Sequence, residues 1–250
     1  MRRIDLSIFI VLFRMIIMSV ITLLLIFGIS YILYSNGLVI PNEPMQYKVK
    51  GIDVSSFQGK VDWDVLSKKI DFAYIKATEG SNAIDPEFKR NYEKAEMTDL
   101  KIGYYMVFSF SSPGEIQAEN FINNVGEHRG VLPPAIDIEF YGGYDTRPPA
   151  REDVVNELYS IITRFKEYYG VSPVIYATKK SYDMYISGGF YDCDIWIRDV
   201  VREPILSDDR KWKFWQYSDK GLLDGYQGEE KYIDLNVFCG SIDEFSDYPN

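Results

Sequence analysis

The 250-residue sequence contains a single histidine, His128. A Ser-His-Asp triad needs a positioned imidazole and zinc hydrolases usually need two or more histidine ligands, so the sequence argues against both kinds of site. His128 has glycines two residues before and after it and is expected to be a solvated loop residue. We therefore expect no metal and no cofactor, which leaves carboxylates to perform any acid–base chemistry.

Cysteine and positive charge are also scarce. The sequence does not show whether Cys193 and Cys239, its two cysteines, lie close enough for a disulfide. Its 27 Lys and Arg residues are outnumbered by 37 Asp and Glu residues, which gives a formal net charge of -10. Such an acidic chain is a poor binder of nucleic acid, so no nucleic-acid partner is expected. The oligomeric state is left unknown, with a monomer as the default.

Charge is absent from the apolar run between Met15 and Leu33. This run is long enough to cross a bilayer as a helix, and the arginines before it place the N-terminus in the cytoplasm. No convincing small-x-small cleavage site follows, which favours an uncleaved anchor over a signal peptide. Secretion after cleavage is the alternative. The preceding arginines are Arg2, Arg3 and Arg14.

These features divide the chain into four predicted segments. Residues 1–14 form a cytoplasmic segment and residues 15–34 a transmembrane anchor. Residues 35–48, with one glycine and two prolines, read as a short stalk. Residues 49–250 then form one extracytoplasmic domain, on the periplasmic or cell-wall side of the membrane, which is large enough for a continuous core.

Hydrophobic and acidic residues alternate from Pro133 to Phe140. This alternation predicts a β-strand, in which Asp137 and Glu139 project from the same face. Two neighbouring carboxylates on an otherwise apolar strand raise one pKa unless water, a cation or a substrate uses them. The strand is therefore a candidate acid–base site. The alternative is a strand whose polar face simply meets solvent.

Candidate strands alternate with candidate helices through the predicted domain. This order indicates a mainly parallel sheet, and eight strands indicate an α/β fold in which the sheet closes, or nearly closes, into a barrel. The predicted strands are 49–55, 72–80, 102–108, 133–140, 174–177, 195–197, 212–217 and 233–238, and the main helices are 61–66, 86–97, 115–125 and 151–169.

Five acidic residues fall at or just past the expected carboxyl ends of these strands. They are Asp53, Glu79, Asp137, Glu139 and Asp234. Barrel active sites lie at that rim, so we expect these side chains to gather at one mouth of the barrel.

Five short motifs follow one another along the predicted domain. They are Gly51-Ile52-Asp53-Val54-Ser55, Tyr74-Ile75-Lys76-Ala77-Thr78-Glu79-Gly80, Ile136-Asp137-Ile138-Glu139, Trp215-Gln216-Tyr217 and Ile233-Asp234-Leu235-Asn236. Taken in their order and spacing, these motifs resemble glycoside hydrolase family 25, the Chalaropsis-type lysozymes or N-acetylmuramidases. The resemblance covers residues 49–245.

The resemblance implies an irregular TIM-like (β/α) barrel that hydrolyses the β-1,4 bond between N-acetylmuramic acid and N-acetylglucosamine. Bacterial peptidoglycan glycan strands would be its partner. By the same resemblance, Glu139 would be the general acid/base and Asp137 its partner, with Asp53 and Asp234 flanking the sugar.

The sequence departs from the family pattern at two places. The family's Gly-x-Tyr-His-Phe stands here as Gly103-Tyr104-Tyr105-Met106-Val107, without the histidine. The family's Trp-Ile-Ala-x-Tyr stands here as Trp196-Ile197-Arg198-Asp199-Val200. Both changes leave the four acids in place, so they bear on substrate contacts more than on the chemistry.

Glycoside cleavage needs an acid that protonates the leaving oxygen. We expect the negative charge of Asp137 to raise the pKa of Glu139, while Asp137 itself stays ionised. Alternate residues on a strand lie about 6.5–7 Å apart, more than the roughly 5 Å between the carboxyl groups of a double-displacement pair. The spacing favours an inverting water or attack by the substrate's own 2-acetamido group. The resemblance selects the second, with retention of configuration.

Further residues are candidates for substrate contacts. Lys76 and Glu79 could form an ion pair that orients the site, or a plain surface pair. Four aromatic residues could stack on sugar rings, although core packing explains each of them equally well. They are Tyr105, Tyr176, Trp196 and Trp215.

Two alternative functions remain open. A family 18-like endo-N-acetylglucosaminidase also ends a strand in Asp-x-Glu, but its pattern needs aspartates where this chain has Ala135 and Leu132. The other alternative is a membrane-tethered peptidoglycan-binding domain with a degenerate catalytic site.

Overall fold

The computed structural model describes residues 6–40, 43–127 and 132–249. Two compact units make up the chain, the first ending at Pro41 and the second beginning at Asn42. His128 lies outside the described residues, so its loop assignment stays a prediction.

The first unit is built on one long helix, α1 (Leu6–Ser35). Within its span Ile8–Ser35, an 18-residue stretch has a mean hydropathy of 2.8, and none of that stretch is buried. At 1.5 Å per residue such a span is about 42 Å long, which exceeds the hydrocarbon thickness of a bilayer. The helix is therefore long and apolar enough to cross a membrane, and a signal sequence near the N-terminus would have the same properties.

The second unit is an α/β barrel whose eight strands close on themselves. The first strand pairs with both the second and the last, so the described part of this sheet has no gap. The predicted barrel is confirmed. The strands are β1 (Lys50–Val54), β2 (Phe72–Glu79), β3 (Lys101–Val107), β4 (Ala135–Ile138), β5 (Val174–Thr178), β6 (Ile195–Arg198), β7 (Phe214–Gly221) and β8 (Ile233–Phe238).

The last strand makes the barrel irregular. Strands β1 to β7 run parallel, but β8 is antiparallel to both of its neighbours. A parallel connection usually needs a crossover of a dozen or more residues, and only residues 222–232 separate β7 from β8. The expectation that Asp234 lies at a carboxyl end is therefore wrong, because it is the second residue of β8. The reversal nonetheless brings Asp234 to the same rim, opposite Asp53 in the register.

Helices flank the barrel, and a side-chain cap begins one of them and a left-handed glycine ends another. The Asp62 carboxylate accepts a hydrogen bond from the Val65 amide and caps the second helix. Gly170 takes a left-handed conformation, φ 75°, after the longest flanking helix. The helices are α2 (Trp63–Leu66), α3 (Phe88–Ala95), α4 (Gly114–Val125), α5 (Arg151–Tyr169), α6 (Lys179–Ser181), which continues as a π-helical turn Tyr182–Ile186, and α7 (Ile242–Asp247).

Helices α4 and α5 pack on each other through aromatic and aliphatic side chains. The ring centroids of Phe121 and Phe165 lie 4.8 Å apart, and five apolar side chains of α5 are buried. Two short pairings complete the sheet structure: Lys60–Val61 with Tyr226–Gln227, and Ala83–Ile84 with the end of β2.

Large aromatic residues fill the barrel interior below its carboxyl rim. Trp196 stacks on Tyr74, with ring centroids 4.8 Å apart. Gly103 makes room for this pair, since a Cβ at that position would lie 2.3 Å from the Tyr74 ring. We call this group the aromatic layer, and its members are Phe72, Tyr74, Trp196, Phe214 and Phe238.

The end of the predicted stalk packs on the barrel rather than extending from it. The Tyr47 ring lies 5.2 Å from that of Trp212, and its hydroxyl donates to the Glu203 carboxylate. Elsewhere in the same unit Cys193 and Cys239 are both free thiols.

Candidate active site

One cavity of about 230 Å³ at the carboxyl rim of the barrel is lined by the exposed Glu230 and by four carboxyl groups on or next to the barrel strands. These four belong to Asp53 on β1, Asp137 on β4, Glu139 just after β4, and Asp234 on β8. The structure thus brings together all four acids that the sequence analysis assigned to catalysis. We call this space the catalytic cavity.

The alternation of β4 places two of these acids. Asp137 points into the barrel, whereas Ile136 and Ile138 are fully buried on the other face of the strand. The strand is shorter than predicted and ends at Ile138, so Glu139 stands at its exit. The Asp137 carbonyl accepts a hydrogen bond from the Phe108 amide at 2.8 Å, which ties this exit to the neighbouring strand.

Two amide side chains hold Asp53 in place. Gln216 Nε2 and Asn236 Nδ2 donate to the same oxygen, Asp53 Oδ2, at 3.0 Å and 2.7 Å. The Tyr176 hydroxyl donates to Gln216 Oε1 at 2.9 Å, and Trp196 Nε1 donates to Asn236 Oδ1 at 2.8 Å. Because both amide oxygens are occupied, both amide groups must present their N–H atoms to Asp53.

Gln216 and Asn236 lie within two of the sequence motifs, but no role was predicted for either residue. Each lies on the same strand face as an aromatic-layer residue two positions away, so strand alternation could have placed both inside the barrel. Their shared partner, Asp53, lies more than 160 positions away, and the sequence pattern does not show such a long-range contact.

Burial dominates the electrostatics of Asp137 and Glu139. Asp137 is 8% exposed and its Oδ1 has no hydrogen-bond partner among the described residues. Burial raises the pKa of Asp137 well above its ordinary value, and the negative charge of Glu139 raises it further. Burial also raises the pKa of Glu139, while the positive charges of Arg198 and Lys76 oppose that rise.

The expected ionisation of this pair therefore needs correction. From the sequence, the charge of Asp137 was expected to raise the pKa of Glu139, and Asp137 was expected to stay ionised. In the structure the like-charge effect acts on the pKa of Asp137, the more enclosed group, and burial is the main cause of the Glu139 shift. Two adjacent carboxylates in such a cavity cannot both be ionised without a large cost in free energy.

Burial raises the pKa of the other two acids as well. For Asp53 the hydrogen bonds from Asn236 and Gln216 oppose that rise. For Asp234 the negative charge of Asp53 adds to it. The catalytic cavity is thus a place where carboxyl groups retain protons at a pH at which exposed ones have lost them.

Three of the four predicted aromatic contacts line the catalytic cavity. Tyr105, Tyr176 and Trp196 form part of its wall and are mostly buried. The predicted ion pair between Lys76 and Glu79 is also present, with 2.8 Å between Lys76 Nζ and Glu79 Oε2.

Trp215 lies on the other face of its strand. Its neighbour Gln216 points into the barrel, so Trp215 points out, where it is 1% exposed and its indole donates to the Asp199 carbonyl at 2.8 Å. It packs against Tyr47 and Trp212 instead of lining the catalytic cavity. The expected sugar contact of Trp215 is therefore corrected to a packing role.

A second space of about 620 Å³, which we call the outer cleft, adjoins the catalytic cavity. Glu139, Tyr176 and Asp234 line both spaces. Arg198 lines the outer cleft and was not among the predicted site residues.

A known protein family matches most of the predicted extracytoplasmic domain. The family model described as "Glycosyl hydrolases family 25" matches residues 52–226. The chain belongs to this family. This membership makes the chain a glycoside hydrolase, as predicted, and it counts against the family 18-like and non-catalytic alternatives.

Several relatives of this family 25 enzyme cover most of its length. The structure of a family 25 glycosyl hydrolase from Bacillus anthracis is 49% identical and has a TM-score of 0.80, covering 84% of this chain and 97% of that one. Protein YegX of Escherichia coli O6:H1 is 32% identical over 82% of this chain and 75% of its own. Lysozyme M1 of Streptomyces globisporus is 32% identical over 77% of this chain and 68% of its own.

Replacing Asp137 by asparagine should stabilise the enzyme at neutral pH. Because the folded-state pKa of Asp137 is raised, folding gains from its protonation below the ordinary pKa of 3.8, and the gain is lost as the pH rises through the folded-state pKa. Each pKa unit is worth about 1.4 kcal/mol. In urea unfolding followed by tryptophan fluorescence, Asp137→Asn should therefore gain stability over the wild type between about pH 4 and pH 7.

The matched control is Asp99→Asn, which removes an exposed acid from a loop. Its unfolding free energy should follow that of the wild type across the same pH range. An Asp137→Asn variant that gains no stability as the pH rises would show that Asp137 is not destabilised by its burial.

Proposed function

We propose that this family 25 enzyme is a lysozyme that hydrolyses the β-1,4 bond between N-acetylmuramic acid and N-acetylglucosamine in bacterial peptidoglycan. The observation that carries the proposal is the meeting of four carboxyl groups, two of them buried and two half-buried, in one cavity at the mouth of the barrel. The family membership and the lysozyme among its relatives support the same substrate.

Glu139 is the general acid in this proposal. It lines both the catalytic cavity and the outer cleft, so a glycosidic oxygen that enters from the cleft can reach it. Burial raises the pKa of Glu139, so that the group can hold a proton at a pH where an exposed glutamate has lost it. It gives that proton to the leaving oxygen as the glycosidic bond breaks.

Asp137 is the group that orients the substrate's 2-acetamido group. Its unpartnered, buried Oδ1 is suited to accept the acetamido N–H. That hydrogen bond favours the ionised form of Asp137, so the one proton of the pair resides on Glu139. The acetamido carbonyl oxygen then attacks the anomeric carbon while the leaving oxygen takes the proton.

Water completes the reaction. Glu139, now ionised, removes a proton from a water molecule that attacks the anomeric carbon and reopens the ring formed by the acetamido oxygen. Two displacements at the same carbon retain its configuration. In this proposal Asp53 and Asp234 flank the sugar, with Asp53 fixed by its two amide donors.

The products test this proposal directly. The full chain in detergent micelles should release fragments whose reducing end, after borohydride reduction, is muramitol, and NMR of the first-formed product should show the β-anomer. Glucosaminitol would mean a different bond specificity, and an α-anomer would exclude participation of the acetamido group.

Glu139→Gln should lower the rate of hydrolysis by about 10²–10⁴-fold because the proton donor is lost, while sedimentation with insoluble peptidoglycan should persist. The matched control is Glu127→Gln, which changes an exposed glutamate after α4 and should leave activity unchanged. Full activity in Glu139→Gln would contradict the assigned role.

We further propose that α1 is an uncleaved anchor and that the catalytic unit lies outside the cytoplasm. In this proposal the cytoplasmic segment is 1–14, the anchor 15–34, the stalk 35–48 and the catalytic domain 49–250. The helix α1 (Leu6–Ser35) contains the whole anchor and begins before it. The apolar span and the preceding arginines support it.

Carbonate-washed membranes from cells that produce the protein should retain the full chain, with its N-terminal residues identified by mass spectrometry. A shorter chain in the medium that starts after α1 would instead establish secretion after cleavage.

A further inference from the structure

Arg198 places a guanidinium in the wall of the outer cleft, which also carries four acidic side chains and one other cation, Lys231. Arg198 ends β6 two positions after Trp196, and strand alternation turns both side chains toward the barrel interior. Its side chain is 31% exposed, and Nη2 donates to Asp219 Oδ2 at 2.7 Å. The charged group is therefore partly withdrawn from water and held on one side by a single carboxylate.

Most donors of this guanidinium are free to meet a ligand. A guanidinium carries five N–H donors in a planar fork, and among the described residues the Arg198 side chain bonds to Asp219 alone. Because Arg198 lines the outer cleft, its remaining donors are available there. Such a fork matches the geometry of a second carboxylate, which it can bind through two parallel hydrogen bonds.

The outer cleft is within reach of a sugar bound for cleavage. Glu139 and Asp234 line both this cleft and the catalytic cavity, so a substituent on a ring that contacts Glu139 can extend toward Arg198. Those of the four acids that are ionised oppose an anionic substituent, and Arg198 and Lys231 are the cations of the outer cleft that can offset this repulsion. The charges of Arg198 and Lys76 both oppose the rise in the pKa of Glu139, and of these two cations Arg198 lines the outer cleft.

We propose that Arg198 is a specificity-determining residue that binds a substrate carboxylate beside the scissile bond. Resting on the proposed function, this inference identifies the carboxylate as the lactyl group of a muramic acid that carries no peptide. Where a stem peptide is attached, the lactyl carboxyl is an amide and has no charge for Arg198 to bind. The enzyme should therefore prefer peptide-free glycan strands.

Three forms of one glycan test the proposal with the full-length enzyme in detergent micelles. The first is peptide-free strands with free lactyl carboxylates, the second is the same strands with those carboxylates converted to neutral methylamides, and the third is peptide-bearing strands. Wild-type KM should be about tenfold or more lower for the first than for the second, as expected for a hydrogen bond to a charged group.

Arg198→Ala should raise KM for the free carboxylate form to the value of the methylamide form and leave the methylamide value unchanged. Arg198→Lys keeps the charge but not the planar fork, so its KM for the free carboxylate form should lie between those of the wild type and Arg198→Ala. The lysine variant also replaces the alanine variant if the latter folds poorly. Comparison of substrates within one variant cancels any general change in the acidity of Glu139. Arg202→Ala removes an exposed arginine on the following loop and should match the wild type.

Each result decides the proposal. If Arg198→Ala raises KM on the peptide-bearing strands alone, Arg198 binds a carboxylate, but that carboxylate belongs to the stem peptide and the lactyl assignment is wrong. Equal changes on all three forms, or no change on any, would overturn the proposal and reduce Arg198 to a partner of Asp219. Failure of the wild type to cleave any of the three would instead refute the proposed lysozyme activity.

Discussion

Four carboxyl groups enclosed in one cavity are the constraint around which this barrel is organised. Burial raises the pKa of each of them, and their mutual repulsion raises some further. A cavity of this kind lowers the stability of the fold at neutral pH, and acid–base chemistry makes use of that same feature. Protonated and ionised carboxyl groups can then coexist in one cavity, as glycoside cleavage requires.

The rest of the barrel makes such an arrangement tolerable. Asp53 is held by two amides whose own oxygens are occupied by Tyr176 and Trp196, so every polar group of that network has a partner. Trp196 in turn stacks on Tyr74 in the aromatic layer. The rigid apolar layer and the satisfied amides fix the acids from below, while the mouth above them stays open to substrate.

Strand alternation explains how much of this could be predicted from the sequence. It placed Asp137 and Glu139 on one face, and the alternation of strands with helices predicted the barrel. Strand direction is not contained in that pattern, so the reversal of β8 was missed and Asp234 was expected at the wrong end of its strand. The sequence also does not show which face of β7 points into the barrel. In the structure Gln216 points inward, so its neighbour Trp215 points outward and makes no wall of the catalytic cavity.

Long-range contacts and burial lay beyond the sequence pattern. Gln216 and Asn236 have roles only because distant strands meet at Asp53. Glu139 raises the pKa of Asp137 because Asp137 is the more buried of the two carboxyl groups. The spacing of residues along a strand does not show which of two side chains is more buried. Arg198 stood out in the sequence only as a departure from the family pattern, until the structure placed it in the wall of the outer cleft.

The most direct measurement of the central claim is a titration of the carboxyl groups themselves. In the enzyme labelled with ¹³C at the side-chain carboxyl carbons of aspartate and glutamate, some signals should keep their protonated chemical shift well above the ordinary pKa range of these residues. Those signals should be lost or shifted in Asp137→Asn and Glu139→Gln. If every carboxyl group instead ionises within the ordinary range, the cavity does not retain protons and the account of its chemistry is wrong.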